Sequence, residues 1–227
     1  MAFDFRGENN CDIQTNGELL VLKKYISNGD VIFDAGANIG EWTKYVLKIS
    51  PEAKIHCFEP CRGTFQMLKN NVGADAKLNN FGLSDKPGEA DFFVVADGAG
   101  TNSLFCNAEI QKKERVILNS VDNYCAQQKI PKINFLKIDV EGGEFSVLRG
   151  ADNLLKNGMI DFVQFEYNRT YIDANIRLLD VFNYFSGKPY KYFLIKYNRL
   201  ESIAHYSQDL ENFQLCNYLF VNEKITL

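Results

Sequence analysis

Asp34 and the glycines after it are the residues of this chain best placed to do chemistry. They lie in Val31-Ile32-Phe33-Asp34-Ala35-Gly36-Ala37-Asn38-Ile39-Gly40-Glu41-Trp42-Thr43. An apolar, strand-like run ends in an acid, a glycine turn follows, and helix-like sequence begins. This is the layout of a phosphate loop with one change. The glycines are spaced G-x-x-x-G instead of G-x-G-x-x-G, and Asp34 precedes them. An acid in that place repels a pyrophosphate and attracts an ammonium group. S-adenosylmethionine (SAM) is nucleoside-like, zwitterionic at its amino-acid end and free of phosphate, so the segment favours a methyl donor over a dinucleotide. Gly36 permits close backbone approach, and Gly40 lets the following helix pack on the strand.

Further polar groups stand at the ends of other apolar runs. Phe58-Glu59-Pro60 lies roughly twenty residues past the turn, where an acid can accept both ribose hydroxyls and Pro60 fixes the next turn. This acid does not separate SAM from a dinucleotide, because both carry ribose. Asn79-Asn80-Phe81-Gly82-Leu83-Ser84-Asp85 suits an adenine contact through Phe81 or a neighbouring amide, or else a polar turn. In Phe135-Leu136-Lys137-Ile138-Asp139-Val140-Glu141-Gly142-Gly143-Glu144, strand periodicity puts Lys137 and Asp139 on one face, with Asp139 at the mouth. Charges in so apolar a strand are costly unless paired or placed in a site, so a structural ion pair is the alternative. Glu141 and Glu144 suit a helix N-terminus. Glu166 ends another strand and should neighbour Asp139, giving two carboxylates able to take a hydroxyl proton, share a cation or form a charged rim. His205, in a polar loop, is a third candidate base, and His56 reads as a core residue.

The elements that must position these groups follow from pattern. Glu18–Ile26 has helical spacing and stops at Asn28-Gly29. Strands are expected at Val31–Ala35, Lys54–Phe58, Ala76–Phe81, Ile133–Val140, Ile160–Glu166, Tyr190–Tyr197 and Leu215–Asn222. Helices are expected at Gly40–Ile49, Arg62–Val72, Val121–Gln128, Glu144–Lys156 and Asp173–Phe185, the last with Asp173 as N-cap. Ala90–Val95 and Arg115–Leu118 read as an inserted hairpin around a Gly/Asn-rich loop. The alternation predicts a mostly parallel sheet with helices on both faces and ligands beyond the carboxyl ends of its strands. Residues 1–16 read as an extension and 17–227 as one domain, with the hairpin inserted at about 90–118.

Composition narrows the class. The chain has 227 residues, 46 % hydrophobic and 24 % charged, as in a soluble globular protein. Net charge of -4 argues against a broad phosphate-backbone footprint. The six cysteines form no C-x-x-C and only two histidines exist, which disfavours zinc and suits a reducing, cytoplasmic location. The N-terminus has no signal-peptide pattern, and no apolar run approaches the roughly 20 residues that span a bilayer.

The sequence resembles the FkbM-type SAM-dependent methyltransferases. The likeness runs through Phe33–Gly40 with Thr43, Phe58-Glu59-Pro60, Gly82-Leu83-Ser84-Asp85 with Gly88, Leu136–Glu144 with Leu148 and Gly150-Ala151, and Glu166. It covers about residues 17–222, and Lys-Ile-Asp-Val-Glu-Gly-x-Glu is its most specific string. Gly143 stands where many relatives have alanine. The resemblance implies an α/β, class I methyltransferase Rossmann-like fold, with a seven-stranded mostly parallel sheet and an antiparallel last strand. It also implies O-methylation of a sugar, glycan or natural-product hydroxyl, with S-adenosylhomocysteine (SAH) as product. Expected cofactor contacts are Asp34, Gly36, Ala37, Asn38, Gly40, Thr43, Glu59, Pro60, Phe81, Gly82 and Asp139. Asp139 is the first choice for the base, then Glu166, then His205, with Lys137 orienting a carboxylate or steadying the oxyanion. No metal is required, although Mg²⁺ on Asp139, Glu166 and Asn168 is a rival. A nucleic-acid 2'-O-methyltransferase using Lys137 or Lys196, and a non-catalytic binding module, are others.

Overall fold

The apolar runs that end in Asp34, Glu59, Asp139 and Glu166 all become neighbouring strands of one sheet. The computed structural model describes residues 9–104 and 112–226. The chain opens with α1 (Glu18–Tyr25), β1 (Val31–Ala35), α2 (Glu41–Ile49), β2 (Lys54–Phe58), α3 (Arg62–Val72) and β3 (Lys77–Asn79). Next, β4 (Gly82–Leu83), β5 (Gly88–Val94) and β6 (Lys112–Asn119) form a small sheet in the order β4-β6-β5. Alternation resumes with α4 (Val121–Gln128), β7 (Ile133–Ile138), α5 (Glu144–Gly150), α6 (Asp152–Lys156) and β8 (Ile160–Tyr167). The rest is α7 (Thr170–Asp173), α8 (Leu178–Phe185), β9 (Tyr190–Lys196), β10 (Arg199–Ile203) and β11 (Cys216–Asn222).

The main sheet has the order β10-β9-β11-β8-β7-β1-β2-β3. Strands β3, β2, β1, β7 and β8 are parallel, and β11 is antiparallel to both of its neighbours. This is the Rossmann-like methyltransferase architecture expected, with one strand more. Alternating side chains feed a core on each face. Phe33, Leu136, Val163 and Phe220 pack with α4, α5, α6 and α8, while Ile32, Phe135, Phe162 and Leu219 pack under α1, α2 and α3. Asp34, Lys137, Gln164 and Glu166 follow the second register, so the polar groups rise on the α1–α2 face.

Several expectations need correction. Within residues 198–214, expected to be a loop, Arg199–Ile203 pairs antiparallel with β9 as an eighth strand. It is an edge strand with charged side chains, which blunts the pairing signal. The helix expected over Glu144–Lys156 breaks at Ala151, because Asp122 accepts the N–H groups of Asn153 and Leu154 (2.8 and 3.1 Å) and starts α6 afresh. Asp173 ends α7 instead of capping a long helix. The start of α8 is capped by Glu211, which accepts from Leu178 and Leu179 N–H (2.8 and 3.2 Å), and by Asp180, which accepts from Arg177 N–H (2.9 Å). The inserted hairpin gains β4 as a third strand, and the third main strand shrinks to Lys77–Asn79. Of the expected extension, residues 1–8 lie outside the described residues, as does Cys106. Residues 9–16 are ordered by local hydrogen bonds, and Asn9 N–H donates to Leu215 O (2.7 Å).

Candidate active site

Two adjoining cavities open at the carboxyl ends of β1, β2, β7 and β8, and Glu18, Gly36, Asn38 and Asp139 line both. The first continues past Glu59, Pro60 and Gly82 and reaches Glu141 and Glu166. The second runs along Ala37, Trp42 and Lys137.

The glycine turn is shaped by contact. Gly36 has φ +80°, and a Cβ there would lie 1.8 Å from the carbonyl oxygen of Asp139. Only glycine lets the β1 turn lie against the end of β7. Gly40 has φ +86°, and its Cβ would strike Val72 and Leu68 of α3 at 2.5 and 2.8 Å. Gly40 therefore serves the α2–α3 contact, not the expected helix–strand contact. Glu59 accepts from the N–H of Asn38 (3.1 Å) and of Cys61 (2.9 Å), which fixes its carboxyl at the cavity wall. Burial pushes its pKa up to about 7 against those two bonds.

Asp34 is placed differently from the sequence expectation. It is 0 % exposed and lines neither cavity. Its Oδ2 accepts from the Thr43 hydroxyl (2.7 Å), and Lys137 Nζ lies 3.7 Å from its Oδ1. Thr43 is likewise buried beneath the cavity floor. Phe81 packs its ring against Phe58 and Tyr124 (centroids 5.6 and 5.9 Å) and is not a lining residue. His56 donates to or accepts from the Tyr124 hydroxyl at 2.8 Å, and burial lowers its pKa to about 4.

The structure brings Lys137, Asp139 and Glu166 together and adds Glu141. One carboxylate oxygen each from Asp139, Glu141 and Glu166 lies within 4.8 Å of the others. Lys137 Nζ donates to Asp139 Oδ2 (3.0 Å). Burial opposes the charge of Lys137, but Asp139, Asp34 and Glu18 outweigh it and raise its pKa. Burial, then the charge of Asp139, pushes Glu141 up to about 7. Glu166 is raised well above the usual carboxylate range by burial and by Asp139 and Glu141. Glu141 and Glu166 therefore hold protons near neutrality.

Glu141 was not foreseen in this cluster. It reaches it through a backbone φ of +54°, followed by Gly142 at +97°, a turn rarely taken by a long side chain. The turn is held by Glu144, whose carboxyl accepts from Val140 and Gly142 N–H (3.0 and 2.9 Å). Asn168 donates its amide to Glu166 Oε1 (2.6 Å), while its Oδ1 accepts from Thr170 N–H (2.8 Å). With its oxygen turned away, Asn168 does not fit the ligand role that the rival magnesium reading gives it. His205 is not brought to this mouth. It is exposed and follows β10, whose Ile203 pairs with Tyr192 near the start of β9, at the opposite end of the sheet. Lys196 is buried as well, so neither Lys137 nor Lys196 offers a phosphate-facing surface.

The donor set suits an adenosine linked to an amino acid. Glu59 can accept ribose hydroxyls, the Gly36 turn lines the cavity with backbone alone, and Asn38 Oδ1 is buried without a partner.

The chain is similar to known methyltransferases. The chain is 30 % identical over 206 residues to the hexuronic acid methyltransferase AglP of Haloferax volcanii, covering 88 % of this chain and 77 % of that protein. The 2-O-methyltransferase NoeI of Sinorhizobium fredii is 22 % identical, covering 62 % of this chain and 65 % of that protein. The crystal structure of methyltransferase FkbM from Methylobacillus flagellatus superposes with a TM-score of 0.56 at 20 % identity, covering 86 % of this chain and 44 % of that one. A family profile described as the methyltransferase FkbM domain matches residues 34–192. This chain therefore belongs to the FkbM family of SAM-dependent methyltransferases.

Proposed function

We propose that the enzyme transfers a methyl group from SAM to a hydroxyl of a sugar, glycan or related natural product. The observation that carries this reading is the Asp139–Glu141–Glu166 cluster, which adjoins the Gly36 turn and Glu59 in one cavity. When bound, SAM supplies a methyl group activated on a sulfonium. The remaining work falls to this chain. The Gly36 turn, Asn38 and Glu59 hold and orient, a contribution of up to about 7–11 kcal/mol when reacting atoms are prealigned. Asp139 takes the hydroxyl proton, which the neighbouring carboxylates share. A positioned base contributes about 100- to 10,000-fold to a poorly acidic hydroxyl. Lys137, anchored to Asp34 and Asp139, fixes the orientation of the base.

Charge also speaks to the acceptor. Glu18, Glu59, Asp139, Glu141 and Glu166 line the first cavity, and no lysine or arginine does among the described residues. A neutral or cationic acceptor fits this wall better than a carboxylate-bearing sugar, in contrast to what the name of the Haloferax relative describes.

The test has two stages. Calorimetric titration should show micromolar binding of SAH and none of NAD⁺. SAH release should then be measured with neutral, amino- and carboxylate-bearing sugars. Turnover confined to acids such as glucuronate would sink the acceptor assignment. The same carboxylates favour a second reading, in which Asp139, Glu141 and Glu166 hold Mg²⁺ to orient the hydroxyl. Activity abolished by a chelator and restored by magnesium would select it.

A further inference from the structure

Asp34 is sealed beneath the floor, so another group must receive the ammonium end of the donor. We infer that Glu18, on α1 and outside the residues matched by the family profile, is that partner. The inference rests on the donor assignment above.

The geometry of Glu18 is built with care for one oxygen and not the other. Oε1 accepts from Asn16 Nδ2 (2.9 Å) and Asn217 Nδ2 (3.3 Å). Oε2 is buried and makes no direct hydrogen bond, although the side-chain amide of Gln164 lies close enough to act on the carboxyl. The residue is only 7 % exposed, yet it lines both cavities at their junction, with Gly36, Asn38 and Asp139. An unpartnered carboxylate oxygen in such a place is expensive unless a ligand completes it.

The start of α1 is pinned to keep it there. Gly17 has φ +99°, and a Cβ would fall 2.3 Å from the carbonyl oxygen of Lys196. Asn16 Oδ1 accepts from Glu18 N–H (2.9 Å), which fixes the first turn. The charge balance leaves room for a second cation. Glu18, Asp34 and Asp139 all act on a single ammonium, that of Lys137. Lys137 bonds to Asp139 and lies close to Asp34, while no ion pair joins it to Glu18 among the described residues. A primary ammonium donating to Glu18 Oε2 would supply the missing partner.

The experiment is a binding cycle by calorimetry. Two ligands are compared, SAH and its analogue lacking only the α-amino group, on the wild type and on Glu18→Gln. Wild type should prefer SAH by about 10- to 100-fold, the usual worth of a charged hydrogen bond. Glu18→Gln keeps an oxygen for Asn16 and Asn217 but turns a donor towards the ammonium. It should bind both ligands with equal affinity, at the wild-type level for the analogue. Unchanged analogue binding also reports that the variant is folded. Should that variant fail to fold, Glu18→Asp, which withdraws the carboxylate by one methylene, should shrink the preference. A full preference for SAH in either folded variant overturns the inference. Wild type that binds both ligands equally overturns it while leaving the donor assignment in place. Wild type that binds neither overturns both.

Discussion

The donor end and the acceptor mouth of the cavity are both acidic, but their acids are held in opposite ways. At the donor end, Glu59 accepts from two backbone N–H groups, and Gly36 is pressed against the backbone of β7. At the mouth, Asp139, Glu141 and Glu166 face one another, and their described bonds run to the side chains of Lys137 and Asn168. Backbone anchoring fixes a shape that a ligand must match. Carboxylates left to each other keep a proton mobile near neutral pH. One end is therefore built to hold and the other to react.

The strongest way to break this contrast is Asp139→Asn. Turnover should fall by about 100- to 10,000-fold, the usual worth of a general base. Binding of SAH should change far less. Equal losses in both measurements would erase the distinction between the two ends. Gly36→Ala tests the other side. Its Cβ would sit 1.8 Å from Asp139 O at a φ of +80°. Forced overpacking and a left-handed alanine together cost about 2–4 kcal/mol. The melting temperature should drop, and SAH affinity should drop with it. A variant that binds SAH like the wild type would show that the turn does not set the donor site.

The pH response should separate stability from rate. Burial raises Glu59 and Glu141 from 4.5 to about 7 and Glu144 to about 8 in the folded protein. The folded state thus binds more protons than the unfolded one between these values. Its stability is fully present below about pH 4.5 and is lost as pH rises towards 7–8. The melting temperature should fall over that window. The rate should rise over the same window, because Glu141 and Glu166 can share the proton taken from the hydroxyl only once they have themselves ionised. Melting curves and kcat/KM profiles that climb together with pH would contradict the placement of these acids.

The order in which groups became legible follows from how local their signals are. Asp34, Glu59, Asp139 and Glu166 each close an apolar strand, so one run of sequence fixes both the strand and the mouth position. Lys137 and Asp139, two residues apart, could be put on one face by strand geometry alone. Depth was not legible in the same way. Asp34 ends its strand like Asp139, but Thr43 and Lys137 fold over it. Glu141 needed a left-handed backbone that no rule assigns to glutamate. Glu18 needed knowledge of what α1 lies upon, since its partner Asn217 comes from a distant strand. The place of His205 was not legible because the eighth strand carries the chain away from the mouth before the histidine is reached.

The smallest expected effect is also the finest discriminator between holding and lying beneath. Thr43 donates to Asp34 Oδ2 at 2.7 Å, and both residues are fully buried. Thr43→Val preserves the shape and removes the donor. Asp34 then keeps Lys137 but loses its one direct hydrogen bond to a neutral group, at a cost of about 1–3 kcal/mol. Burial already raises the pKa of Asp34, and without the hydroxyl the carboxyl should retain its proton more readily. The melting temperature should therefore fall, and by more at high pH than at low pH. Since neither Thr43 nor Asp34 lines a cavity, the affinity for SAH should stay within about threefold, less than one lost hydrogen bond. A loss of affinity matching the loss of stability would mean that Asp34 reaches the ligand after all. The floor of the donor end would then have to open on binding, and the rigidity assigned to it here would belong to the free enzyme alone.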